Sequence, residues 1–309
     1  MSKKETAKRH FGDRRDGYKV DVPSLQKIMG YILPKRTDCE VFMMDSFDCT
    51  EVIKFLEKKN AEHPEYKTTF FHCVVAAVAR MIRERHKMNR FIQGWQMYER
   101  YDISLSFVVK RHFADDAGES LFFLTPTDDD TVDTISRKII GDVREIRKKD
   151  EADTEGIDKM IDNFAALPRP ILALALRIVR WLDFWGVNLK AFTDGDPNYS
   201  TVLLSNLGSI KCPAVYHHLN NYGTNSVMIT IGTIHDELVL MPDGTHQIRK
   251  MVDIGATLDE RIADGFYFAR SLKLIKHILA HPELLDLPQG EPSGFDYGGI
   301  EGRPGVGYK

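Results

Sequence analysis

Two short stretches bring together residue types that can do chemistry. The first is Leu258-Asp259-Glu260-Arg261-Ile262-Ala263-Asp264-Gly265, three carboxylates around one guanidinium, set between a strand ending at Thr257 and a long helix. An ordinary Glu titrates near ~4.3, so Glu260 has two physical uses: a proton acceptor lifted by burial, or the ion-pair partner of an Arg or Lys. The second is Ser205-Asn206-Leu207-Gly208, at the end of another strand. Ser and Asn before Gly at such a place commonly cap a turn. The histidines are scattered. His72 sits on a long apolar helix beside Phe71 and reads as a core histidine with one satisfied nitrogen, and His235-Asp236 opens a hairpin. Cys39, Cys49, Cys73 and Cys212 contain no C-x-x-C pair, so neither a structural zinc site nor a disulfide framework is expected, and no metal.

These residues need a scaffold, and the apolar periods supply one. Helices are expected over Pro23–Leu33, Cys49–Lys59 with Thr50 as cap, Thr69–Arg85, Thr131–Lys149 and Arg261–Ala280. Strands are expected over Glu40–Phe47, Ile103–Lys110, Glu119–Thr125, Ser200–Ser205, Ser226–Thr233 and Gln247–Thr257, with hairpins at Asp115–Gly118 and His235–Met241. Strands and helices mix without strict βαβ alternation, so the class is α/β with a mixed sheet packed against helices. Residues 1–21 form a basic arm that reads as a solvated tail, and Pro288–Lys309, rich in Gly and Pro, reads as extended or disordered. The segment Asp153–Asp196 reads as a helical insertion: a polar helix around Gly156–Phe164, then the apolar stretch Ile171–Leu189, whose side chains should be mostly buried against the domain or a neighbouring subunit. An amphipathic membrane face is the competing use of that stretch.

Composition excludes several classes. The chain of 309 residues has a net charge of −3, so no global basic field for nucleic acid exists. Its start carries no signal-peptide pattern, and Arg177, Arg180 and Asp183 interrupt the most apolar stretch well short of the ~20 residues a spanning helix needs. A cytoplasmic protein is the expectation.

In its order of motifs the chain resembles the catalytic domain of the 2-oxoacid dehydrogenase acyltransferases and their chloramphenicol acetyltransferase-like relatives. Asp259, Arg261, Asp264 and Gly265 match the family's D-H-R-x-x-D-G string, Ser205-Asn206-Leu207-Gly208 is similar to its S-N-L-G, and Pro282-Glu283-Leu284-Leu285 to the turn that ends its last helix. Ser24–Leu33, Phe70–Arg85 and Ser226–Thr233 fit further family elements, so the resemblance spans residues 22–287 and implies a two-layer sandwich. The resemblance also implies a chemistry. In the family, a His removes the proton of a coenzyme A or dihydrolipoyl thiol, a hydroxyl donates to the tetrahedral oxyanion, and the two come from adjacent subunits of a trimer. Carried over, Ser205 is the oxyanion donor, Asp264 fixes the loop, Gly265 lets the chain turn into the helix, and Asn206 and Gly208 shape the mouth where coenzyme A or acyl-CoA enters. Glu260 stands where the family has its His. His217-His218, followed by Gly223, imitate a His motif but have Asn221-Tyr222 where the Asp belongs. No lipoyl or subunit-binding segment precedes residue 22, so the expectation is a stand-alone, homotrimeric acyltransferase with a small-molecule or carrier acceptor. Its alternative is an inactive trimeric binding or scaffold protein.

Overall fold

The computed structural model describes residues 12–63, 65–110, 119–148, 166–187, 193 and 195–297. Its centre is a mixed sheet built from β2 (Glu40–Asp48), β5 (Leu105–Lys110), β6 (Glu119–Leu124), β7 (Val202–Asn206), β8 (Val227–Ile231), β9 (His235–Leu240) and β10 (His246–Asp259). The order is β2-β10-β8-β7-β5-β6, with β9 paired to the first half of β10. The pairs β7–β8 and β5–β7 are parallel and the rest antiparallel. Helices α2 (Thr50–Glu62), α3 (Phe70–Glu84), α4 (Val132–Lys148) and α6 (Gly265–Ala280) pack on one another and on β2, β6 and β10, which makes the second layer.

Helix α3 organises that layer because its sequence is apolar on every side. Cys73 to Ile82 are all buried, as befits a helix enclosed by protein rather than lying on a surface. Its start is fixed by a capping box: Thr69 Oγ1 accepts the His72 N–H, and His72 Nδ1 accepts the Thr69 N–H. The one cation in that buried run, Arg80, is fully buried and donates to the carbonyls of Leu287, Pro288 and Glu291. Those bonds, with Ser293 held by Glu84, pin residues 287–293 against α3, so the first part of the Gly/Pro-rich tail is packed where extended chain was expected. The remainder of that tail, from residue 298, lies outside the described residues.

Several expectations need correction. Thr50 does not cap α2; Cys49 holds that position and the Asp48 carboxylate accepts the Thr50 N–H. The last helix starts at Gly265 instead of Arg261. A second, three-stranded sheet, β1 (Gly17–Lys19), β4 (Gln96–Arg100) and β3 (Arg90–Gln93), has no counterpart in the sequence reading. Its buried positions carry charge, which breaks the apolar alternation that reveals a strand. Arg90 and Glu99 pair across it at 3.2 Å. The basic arm is not all solvated either: Arg14 is buried, bonded to Asp16 at 2.8 Å and to Asp183 at 2.5 Å. Residues 1–11 of the arm, the turn Asp115–Gly118 and the polar helix expected at Gly156–Phe164 fall outside the described residues.

The apolar helix of the insertion, α5 (Arg169–Phe184), forms as expected, and its own domain covers only part of it. Leu172, Val179, Leu182 and Asp183 turn inward, while Ile171, Leu174, Ile178, Trp181 and Trp185 form an exposed stripe. Apolar surface is also exposed on α1 (Ser24–Ile32), where Leu25 is 72% accessible, and on the β9–β10 hairpin, where Leu238 and its cross-strand partner Ile248 are 65% and 71% accessible. No helix among the described residues is long and apolar enough to cross a membrane.

Candidate active site

Strand β10 ends at Asp259, and Glu260 and Arg261 lie in the turn that follows it. Asp259 faces inward, Glu260 outward and Arg261 inward again. Asp259 is fully buried and Arg261 is 3% accessible. The guanidinium grips the carboxylate along one edge, Nε to Oδ1 at 2.8 Å and Nη2 to Oδ2 at 2.6 Å, while Nη1 donates to the Leu33 carbonyl at 2.8 Å. Burial by itself lowers the Arg261 pKa, but the hydrogen bonds and charge of Asp259 outweigh it and raise it. A second buried guanidinium, Arg36, places Nε 3.7 Å from Asp259 Oδ2. The ion pair considered for Glu260 is therefore made by its neighbour Asp259. Glu260 is exposed, its N–H bonded to the Cys39 carbonyl at 2.9 Å, and its carboxylate has no partner among the described residues.

Asp264 closes this segment as the N-cap of α6, its Oδ1 accepting the Tyr267 N–H at 2.8 Å. Gly265 does not serve the tight turn expected of it. Its φ lies outside the left-handed region, and a Cβ placed on it meets nothing within 4 Å. What the glycine leaves is open surface at the first turn of α6. Gly208 is the opposite case: a Cβ there would lie 2.5 Å from the Gly232 carbonyl oxygen, so its role is close backbone packing.

Ser205 and Asn206 end β7 and open into a cavity of about 520 Å³ with apolar walls that include Phe71, Phe107, Ile139 and Met228. Ser205 is half-buried, and its hydroxyl makes no hydrogen bond among the described residues, so it is free to donate to a ligand. His72 and His217 line the same cavity; His218 does not. His72 is a core histidine as expected, but one that also faces the candidate site. Burial pushes its pKa down to about 4, so it is neutral at pH 7. With Nδ1 accepting from Thr69, the proton is assigned to Nε2. A histidine this weakly basic donates a hydrogen bond well and removes a proton poorly.

This carries a stability consequence. Because the folded pKa lies below the unfolded value of about 6.5, the unfolded chain binds the proton first. The contribution of His72 is fully present above pH 6.5 and is lost as pH falls from there to about 4. Denaturation midpoints measured across that window should fall more steeply for the wild type than for His72→Gln, and equal slopes would show that the imidazole is not held neutral.

Ser205 and Glu260 do not meet within one chain. The registers place Ser205 opposite Thr230 and Thr230 opposite Gly255. Glu260 is five residues beyond Gly255, roughly 17 Å along the strand, and two strands, roughly 10 Å, across from Ser205. Among the described residues no group of three or more His, Cys, Asp or Glu side chains could hold a metal ion.

Residues 190–287, which contain both motifs, match the family model described as 2-oxoacid dehydrogenases acyltransferase (catalytic domain). The fold is shared with solved acyltransferase cores. A probable dihydrolipoamide acetyltransferase from Listeria monocytogenes is 17% identical with a TM-score of 0.56, covering 85% of this chain and 94% of that one. Dihydrolipoamide acetyltransferase from Azotobacter vinelandii is 16% identical with a TM-score of 0.57, covering 86% and 93%. A truncated catalytic core of the 2-oxoacid dehydrogenase multienzyme complex from Thermoplasma acidophilum is 16% identical with a TM-score of 0.53, covering 85% and 98%. No curated protein sequence matches the chain significantly. The resemblance read from the motifs and the α/β fold it implied are both borne out.

Proposed function

We propose that the chain transfers an acyl group from a thioester, with acyl-CoA as donor and a small-molecule or carrier acceptor, and that it does so as a homotrimer whose complete sites lie between copies. The observation that carries this reading is the separation of Ser205 from Glu260. The hydroxyl of one site motif opens into an apolar cavity, and the carboxylate of the other is presented to solvent a sheet-length away. Two such halves complete each other only when a second copy contributes one of them. The exposed apolar faces of α1, α5 and the β9–β10 hairpin offer surface for that assembly to bury.

In this site the thioester carbonyl enters the Ser205 cavity. The acceptor attacks the carbonyl carbon, and the oxygen that gains charge is met by the Ser205 hydroxyl and by the Nε2–H of His72. Glu260 of a neighbouring copy takes the acceptor proton, and the proton passes to the departing coenzyme A thiolate as the tetrahedral intermediate collapses. Asp264 and the Asp259–Arg261 pair hold the Glu260 segment in place.

The test combines assembly, binding and turnover. Light scattering at micromolar concentration should give a trimer. Acetyl-CoA should raise the melting temperature by mass action. Thioester exchange should fall by about 10²-fold in Ser205→Ala, the size of effect known for one oxyanion donor. A monomer, or turnover indifferent to Ser205→Ala, overturns the inter-copy site. The non-catalytic scaffold reading draws on one observation, that neither an exposed carboxylate nor a histidine with a pKa of about 4 is a strong base. A trimer that binds neither coenzyme A nor acetyl-CoA at millimolar concentration would establish it.

A further inference from the structure

Behind Asp259 lies a second, smaller cavity of about 160 Å³. It is bounded by the loop after α1, the β3–β4 turn, the end of α5 and the loop 221–223. Its charged lining is Arg36, Arg180, Asp183 and Arg261. The two nearby carboxylates are already engaged. Asp259 accepts two bonds from Arg261. Asp183 is held by Arg14 and by Gln93 Nε2 at 2.7 Å.

Of the other two guanidiniums, Arg36 only shares Asp259 with Arg261, and Arg180 has no carboxylate partner among the described residues. Arg36 is 4% accessible, and its Nη1 and Nη2 end on neutral carbonyls, those of Asn220 at 2.6 Å and Ile92 at 3.2 Å. Its Nε is buried without a hydrogen bond, and its nearest carboxylate oxygen, at 3.7 Å, belongs to the already paired Asp259. Arg180 stands exposed at the rim with no hydrogen bond or ion pair among the described residues. A buried cation that must share its one close carboxylate with a second guanidinium is under-compensated, and an unsatisfied buried N–H adds to that cost. The cavity, about 160 Å³, has room for a carboxylate or phosphate group.

We infer that this cavity is an anion site, taking the terminal carboxylate or phosphate of a small ligand between Arg36, Arg180 and the outer edge of Arg261. Because it adjoins the segment that carries Glu260, the ligand it anchors is the acyl acceptor; that assignment rests on the acyltransferase reading, whereas anion binding does not. None of the sequence motifs signals the site. Arg36 follows α1, Arg180 lies in the insertion and Arg261 in the D-E-R string, and only the tertiary structure brings the three together.

The experiment is a binding measurement on the full chain, independent of turnover. Melting temperatures are recorded against inorganic phosphate and against acetate, with sodium chloride at matched ionic strength, for the wild type and for Arg180→Ala. Arg180 is exposed, so this variant keeps the fold. At least one of the two anions should raise the wild-type melting temperature saturably, and its midpoint should shift about tenfold or more to higher concentration in Arg180→Ala, the loss expected for one charge-assisted hydrogen bond. The anion that saturates identifies the group. A shift that chloride reproduces, the absence of saturation with both anions, or identical midpoints in the two proteins would overturn the site. Anion binding without any thioester turnover would keep the site and dispose of the acceptor assignment alone.

Discussion

Asp259→Asn should destabilise the protein by about 3–5 kcal/mol, the cost of leaving a buried ion pair without one partner. The side chain keeps its shape but loses its charge, so Arg261 and Arg36 are left as buried guanidiniums around a neutral amide. Arg261 loses two charge-assisted bonds at once, since both of its contacts to this residue end on carboxylate oxygens. The loss should appear as a drop in denaturation midpoint with little change in slope. Glu260→Gln, one residue away but exposed, should stay within about 0.5 kcal/mol of the wild type. The contrast is the decisive part: if both variants melt together, the arrangement that buries Asp259 and exposes Glu260 is wrong.

Glu260→His should raise thioester exchange by about 10²-fold or more at pH 7 to 8. A general base contributes typically about 10²–10⁴-fold, and it works best when its pKa lies near the operating pH. An ordinary imidazole, near ~6.5, is far closer to a thiol near ~8.5 than an ordinary carboxylate near ~4.3. The surroundings that would hold the new imidazole are already built. Asp264 caps α6, the Asp259–Arg261 pair anchors the turn, and the Ser205 hydroxyl is free. Glu260→Gln should abolish the exchange that the wild type shows. Activity that survives Glu260→Gln would place the base elsewhere, and activity that appears only in Glu260→His would mark the wild type as a binding protein that has lost its base.

Part of this was legible in the sequence. The long helices and central strands announced themselves because each has one dominant apolar period, and α3 because its apolar run leaves no polar face. The two site motifs were legible as strings. The sequence placed Ser205 at a strand end and Asp264 just before a helix, and the residues stand there. The β1-β4-β3 sheet was not legible, because its buried positions run through both faces and include Arg90, Glu99 and Arg100 beside Phe91 and Tyr98. Arg90 and Glu99 pair with each other, while Arg100 is buried through partners far along the chain, Asp16 and the Thr224 carbonyl.

The residue types determined which chemistries were open to this chain: a hydroxyl at one strand end, a carboxylate string at another, and a Glu where the family it resembles has a His. Tertiary structure alone decided which carboxylate is buried. The Asp259–Arg261 string reads the same whichever residue faces in, and only the pairing of Asp259 with β2 and the turn that follows it decide which does. It also decided that Ser205 and Glu260 stand a sheet-length apart, since their distance depends on strand order and register, which sequence spacing does not encode. The same cause gathers Arg36, Arg180 and Arg261 around one cavity. Charges that meet across 225 positions of chain are brought together by packing, and no local pattern records the meeting.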